Sequence, residues 1–182
     1  MGSIFGKPLV TQEEVRTRIR ELGRQITVDY AQKDLVLIGI LKGAFAFYAD
    51  LARAIRLPLR VDFLVVSNRG GKAKAAGTIK VLTKLTEDIA GRDVLLVEDI
   101  VDSGRTVQYL RKVFGAQHPK SIKVCALLDK PDRREVEVVI DYVGFAIPNK
   151  FVVGYGLDYH QNYRNLPYLA VLDQVDEDGE PG

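Results

Sequence analysis

The chain has 182 residues, 47% hydrophobic and 27% charged, a size that predicts one domain with its own core and a balance that excludes global disorder. Its one cysteine, Cys125, excludes an internal disulfide and a cysteine-rich zinc site. Its 26 bases against 24 acids leave a net charge of +2, too small to draw the whole molecule to nucleic acid or a membrane.

In chain order, Thr11-Gln12-Glu13-Glu14 fits a capping box, in which a hydroxyl and a carboxylate three residues on satisfy free helix-end amides. Val15, Ile19, Leu22 and Ile26 follow at helical spacing and make one apolar stripe. Leu35–Leu41 is apolar on both faces, as a buried parallel strand is. Lys42-Gly43 breaks it, and Ala44–Ile55 reads as a helix. Further strands are expected over Val61–Ser67, Val94–Ile100 and Ser121–Asp129, with a helix over Ser103–Phe114. This alternation predicts an α/β fold with a mainly parallel sheet.

Asn68–Gly77 interrupts the rhythm with glycines, alanines and bases, and is expected to be a mobile loop, with Thr78–Leu85 returning as an antiparallel strand. From Tyr142 onward, aromatics, glycine and proline predict an irregular cap on the sheet. Asp173–Gly182 is an acidic tail without a base. No apolar run reaches membrane-spanning length, and Met1–Val10 lacks a signal-peptide pattern, so a soluble, cytoplasmic protein is expected. His118 and His160 are isolated and are expected at surface or capping positions, and Cys125 is expected as a small core residue.

Chemistry concentrates in Val94–Thr106. A buried strand delivers Glu98 and Asp99 to its carboxyl end, where open α/β sheets bind ligands. Asp102, Ser103, Gly104, Arg105 and Thr106 then turn into a helix, with backbone amides, hydroxyls and the positive helix end all suited to a phosphate. Three carboxylates beside a phosphate repel it unless a cation or a polyhydroxyl group lies between. A sugar or a hydrated magnesium ion, which takes few carboxylates and several waters, meets that need.

The stretch Val97–Thr106 resembles the phosphoribosyl-pyrophosphate (PRPP) signature of type I phosphoribosyltransferases, in particular the hypoxanthine-guanine group. Leu41-Lys42-Gly43 is similar to that family's pyrophosphate loop. Lys130, Val143-Gly144-Phe145 and Phe151–Tyr159 resemble its purine-binding region, and Arg164 stands at its second pyrophosphate contact. The likeness spans roughly residues 35 to 172. It implies a parallel-sheet α/β core, a small irregular hood, a flexible loop, and magnesium-dependent transfer of phosphoribose from PRPP to a 6-oxopurine base, by a protein that assembles as a dimer or tetramer. It also implies that Glu98 and Asp99 hold the ribose hydroxyls directly or through magnesium-bound water, that Asp102 is the general acid/base at purine N7, and that Ser103, Gly104, Arg105 and Thr106 hold the 5-phosphate. The Lys42–Gly43 peptide, cis in the family, faces pyrophosphate, with Asp158 on a second magnesium and Arg164 nearby. Phe151 stacks on the base, the Val152 backbone and Asp158 border it, and Lys130, a pure donor, selects a 6-oxo over a 6-amino group.

One departure stands out. The family usually opens its lid with Ser-Tyr, whereas this chain has Ser67-Asn68. Two alternatives stay open: a preference for xanthine or a pyrimidine base, and a regulatory protein that keeps the PRPP-binding fold but binds RNA or a partner as a nucleotide sensor, supported by the basic Arg69–Lys84 stretch.

Overall fold

The computed structural model describes residues 7–67 and 79–172. The Asn68 lid position, the Asn68–Gly77 loop and the acidic tail therefore lie outside the described residues.

Helix α1 (Gln12–Asp29) starts at the expected capping box: the Thr11 hydroxyl accepts from the Glu14 amide, and Glu14 accepts from the Thr11 amide at 2.7 Å. Its stripe Val15, Ile19, Leu22 and Ile26 is buried, contributing on the order of 1.5–3 kcal/mol per side chain. The stripe packs on α2 (Phe45–Ala54) and on one face of the sheet.

The strands are β1 (Leu35–Leu41), β2 (Arg60–Ser67), β3 (Lys80–Val81), β4 (Asp93–Val101), β5 (Ser121–Asp129) and β6 (Tyr142–Ala146), in the order β3-β2-β1-β4-β5-β6. All pairs are parallel except β2–β3. Alternate residues of β1 and β4 serve opposite layers: Leu35, Leu37, Leu95 and Val97 face α1 and α2, whereas Val36, Ile38, Val94 and Leu96 face α3 (Arg105–Gly115). That double burial is why both strands read as unbroken apolar runs. The antiparallel return is shorter than Thr78–Leu85, since only Lys80 and Val81 form strand β3.

The stretch after Tyr142 departs from expectation. Tyr142–Ala146 is not part of an irregular cap but the sixth strand of the main sheet, parallel to β5. A non-local fit makes it so. A Cβ on Gly144 would lie 2.3 Å from the Leu127 carbonyl, so only glycine lets the strand close on β5. Arg18 of α1 then donates to the carbonyls of Val143 and Gly144 at 2.8 and 3.0 Å. Beyond it, β7 (Val152–Val153) and β8 (Ala170–Val171) pair antiparallel, and Val10 bridges to Leu169, which fastens this hood to the start of α1.

Cys125 is a fully buried free thiol, as expected of a core residue, and burial pushes its pKa up. No helix among the described residues is long and apolar enough to cross a membrane.

Candidate active site

From β1 the chain crosses through α2 to β2 on one side; from β4 it crosses through α3 to β5 on the other and over the opposite face. The loops after these neighbouring strands diverge, leaving a crevice at their carboxyl ends, the general ligand position of open α/β sheets. Two clefts occupy it. One, of about 210 Å³, is lined by Lys42, Gly43, Glu98, Asp99, Asp158 and Arg164 among others. The second, of about 320 Å³, follows the chain from Glu98 to Gly104 and on to Thr106 and Val107. Glu98, Asp99 and Thr106 line both, so the two clefts adjoin along the end of β4 and the start of α3. Lys130, Phe151 and Val152 line neither cleft.

The loop after β1 requires one correction. The cis peptide bond is Leu41–Lys42, one residue earlier than the Lys42–Gly43 bond expected. Gly43 meets a different demand, because a Cβ there would fall 1.6 Å from Asp99 Oδ2. The backbone of one loop thus leans on the carboxylate of the next. Gly156 makes the matching contact from the hood, where a Cβ would lie 2.0 Å from the Gly43 carbonyl. The adjoining Tyr155 hydroxyl donates to Asp50 of α2.

The carboxylates are held in unfavourable surroundings for charge. Glu98 is 8% exposed, its Oε2 has no hydrogen-bond partner among the described residues, and burial followed by the nearby Asp99 charge raises its pKa well above the ordinary range. Burial likewise pushes Asp99 up to about 6; the Ile100 amide and Arg164 oppose this, and Asp158 adds to it. Asp158 bonds Arg164 through Oδ1 at 2.7 Å and accepts the Gln161 amide at 2.8 Å. Arg164 also donates to the Gly156 carbonyl at 2.7 Å, which joins it to the Gly43 contact. An orphaned buried carboxylate oxygen calls for a partner. A hard cation keeping its water, or a sugar hydroxyl, supplies one. Among the described residues no three His, Cys, Asp or Glu side chains gather into a metal-holding group.

On the phosphate side, Gly104 is the helix cap in the left-handed region at φ 84°, and Arg105 forms an ion pair with Glu135 at 2.5 Å. Asp102 Oδ1 meets Arg133 Nε at 3.2 Å. Lys130, 8% exposed, has its pKa lowered by burial; the Asp102 carboxylate opposes that and Arg133 adds to it, so the two cations face one acid. Phe151, on the hood, meets Tyr159 edge-on at 5.6 Å between ring centres, and Val152 is buried in β7. Ser67 ends β2 at the edge of the described residues.

Residues 9–160 match the phosphoribosyl transferase domain family. The chain belongs to that family. It is 48% identical over 171 residues to a hypoxanthine phosphoribosyltransferase of Salmonella typhimurium, covering 93% of this chain and 96% of the relative. It is 50% identical to a hypoxanthine-guanine phosphoribosyltransferase of Mycobacterium avium, covering 91% and 84%. The crystal structure of a hypoxanthine phosphoribosyltransferase from Staphylococcus aureus superposes with a TM-score of 0.88 at 40% identity, covering 92% of this chain and 91% of that one. This places the chain in the hypoxanthine-guanine branch of the phosphoribosyltransferases.

Sequence reasoning passed over Arg133 and Arg134, which meet the Asp102 side chain and main chain respectively. The available signal was two adjacent arginines just beyond Lys130, in a stretch that reads as an ordinary polar turn. Gly156, which packs on the Lys42-Gly43 loop, and Tyr155, which ties the hood to α2, were likewise passed over.

Proposed function

We infer that this phosphoribosyltransferase moves the 5-phosphoribosyl group of PRPP onto hypoxanthine or guanine, releasing pyrophosphate and the nucleoside monophosphate in purine salvage. The observation that supports the reading is the pair of adjoining clefts that share Glu98, Asp99 and Thr106, one bordered by the Lys42-Gly43 loop and the other by the loop that starts α3.

The Ser103–Thr106 loop holds the 5-phosphate, and Glu98 and Asp99 hold the ribose hydroxyls. The reaction of this family depends on a metal ion, and the ion we propose is magnesium, carried by Glu98 and Asp99 with Asp158 on the pyrophosphate side. When bound, it supplies positive charge against the negative charge of the leaving pyrophosphate. The loop at Lys42-Gly43 and the Arg164 guanidinium donate to the same group, so charge that develops during C1–O cleavage meets donors already in place. Asp102 accepts the proton that the purine N7 loses as the new bond forms at N9, a service worth about 10²–10⁴ in rate.

Lys130 gives the 6-oxo group a donor and a 6-amino group none, while Phe151 stacks on the base and the Val152 backbone meets its pyrimidine edge. A site built around such a bond rejects the mismatched base by about 10⁴. Ser67 and Asn68 stand at the family's lid position in the sequence. The working form is a homodimer or homotetramer in the cytoplasm, acting on PRPP and a purine base, with no membrane or nucleic-acid partner.

Hypoxanthine, guanine, xanthine, adenine and uracil, each incubated with PRPP and magnesium, test this reading, with Asp102→Asn as the comparison. Turnover of hypoxanthine or guanine that falls at least about 100-fold in the variant is expected. Binding of PRPP without turnover of any base would overturn it.

A further inference from the structure

The turn after Lys130, which no part of the transfer reaction has claimed, makes a set of contacts with the back of the phosphate loop. The side chain of Arg134 is 19% exposed and lies against Asp129 at the end of β5, which is 17% exposed. Its other terminal nitrogen donates to the main-chain carbonyl of Asp102 at 2.6 Å. The next two residues continue the pattern, with the amides of Glu135 and Val136 donating to the Ser103 carbonyl at 3.0 and 3.2 Å. Two successive carbonyls of the loop therefore point backwards, into this turn.

Peptide planarity turns that into a statement about the front of the loop. In a trans peptide unit the carbonyl and the following N–H point in opposite directions. If the Asp102 carbonyl faces Arg134, the Ser103 N–H faces away from it. If the Ser103 carbonyl faces Glu135 and Val136, the Gly104 N–H faces away too. The opposite side is the cleft lined by Asp102, Ser103, Gly104 and Thr106. Among the described residues the amides of Ser103 and Gly104 have no acceptor. Gly104 is also the residue closest to the clamp: a Cβ there would lie 3.0 Å from Arg134 Cδ and from the Val136 carbonyl.

We propose that Arg134 is a positioning residue for the phosphate cradle: by anchoring the Asp102 carbonyl to Asp129 it aims the Ser103 and Gly104 amides at the 5-phosphate. It touches no substrate, and the proposal rests on the cradle role given to Ser103–Thr106 above. It also explains why an arginine suits the position. A bridge from one carboxylate to one carbonyl needs two donors in a fixed fork, which a lysine ammonium provides only poorly.

Arg134→Met keeps an unbranched side chain and removes every donor, and Arg134→Lys keeps the charge but not the fork. The affinity for ribose 5-phosphate, measured by titration calorimetry, and the kcat and KM for PRPP read out the cradle; melting temperature reads out folding. The Met variant is expected to bind ribose 5-phosphate about tenfold more weakly and to raise KM for PRPP similarly, with kcat changed less than about threefold and the Lys variant in between. Asp129→Asn, which loosens the anchor from its far end, shifts the same two quantities in the same direction by less. A folded Met variant with unchanged sugar-phosphate affinity overturns the proposal, as does a loss confined to melting temperature. Should that variant fail to fold, unchanged affinity in Asp129→Asn overturns it equally. A wild-type protein that binds ribose 5-phosphate but transfers nothing from PRPP sinks the transferase reading, not the cradle. A wild-type protein that fails to bind ribose 5-phosphate sinks the cradle itself.

Discussion

Replacing Gly43 with alanine separates the site from the fold. The new methyl group would sit 1.6 Å from Asp99 Oδ2 and 2.5 Å from its Cγ, where ordinary contact begins at 3.4 Å. The carboxylate must retreat by about 2 Å, which rotation of its short side chain permits without moving the sheet. Folding should therefore lose no more than about 1 kcal/mol. The reaction loses far more, because a misplacement of about 1 Å in a reacting constellation costs on the order of 100-fold. A fall in kcat/KM for PRPP of at least about 100-fold, or about 2.7 kcal/mol of transition-state stabilisation, is expected. Steady-state kinetics with varied PRPP, set beside thermal melting of the same preparation, measure both quantities. An alanine variant within about threefold of wild type in kcat/KM would refute the claim that the Asp99 position matters. A collapse in melting temperature would refute the claim that the clash is local.

Acidity offers a second test. Burial holds Asp99 neutral up to about pH 6 and raises Glu98 in the same direction; the metal and ribose contacts we propose for them need the charged form, so KM for PRPP should fall as pH rises through about 6. For the free protein the sign is opposite: a raised carboxylate pKa contributes stability below the unfolded value near 4, and that contribution is lost as pH rises through about 6, which melting curves of wild type against Asp99→Asn will show. Asp62 behaves in reverse. Burial alone would raise it, yet the amides of Glu87, Phe63 and Thr86, at 2.9, 2.7 and 2.7 Å, outweigh this and hold its pKa below the usual carboxylate value. Asp62→Ala should cost about 2–4 kcal/mol in urea unfolding at neutral pH, with the gap from wild type narrowing as pH falls below about 4. Lys130→Met should lower kcat/KM for hypoxanthine by at least about tenfold while leaving KM for PRPP near wild type, and a loss shared equally by both substrates would contradict its assignment to the base.

Much of this architecture was legible from local pattern. Strands β1 and β5 match their expected limits because they are apolar wherever the sheet is covered, and α1 begins where its own side chains cap it. The stretch from Glu98 at the end of β4 to Thr106 at the start of α3 was readable because its acids, hydroxyls and glycine break the apolar pattern of the strand. What escaped was decided by partners distant in sequence. Strand β6 holds a glycine and no run of branched residues, and only the Leu127 carbonyl across from Gly144 explains its place. Asp62 and Arg134 read as ordinary polar residues because their value lies in main-chain groups 24 and 32 positions away. The cis bond at Leu41–Lys42 has no local signature, since neither residue is proline.

The contact between Gly156 and the Gly43 carbonyl has a mechanical meaning. Two main chains touch there with no side chain between them to act as a spring. Arg164 also donates to the Gly156 carbonyl, so the Lys42-Gly43 loop, Gly156 and Arg164 are joined in series. Gly156 cannot move toward the Gly43 carbonyl without displacing it. Damage to the hood, such as loss of the Tyr155–Asp50 bond, would thus surface as poor handling of pyrophosphate long before it surfaced as unfolding.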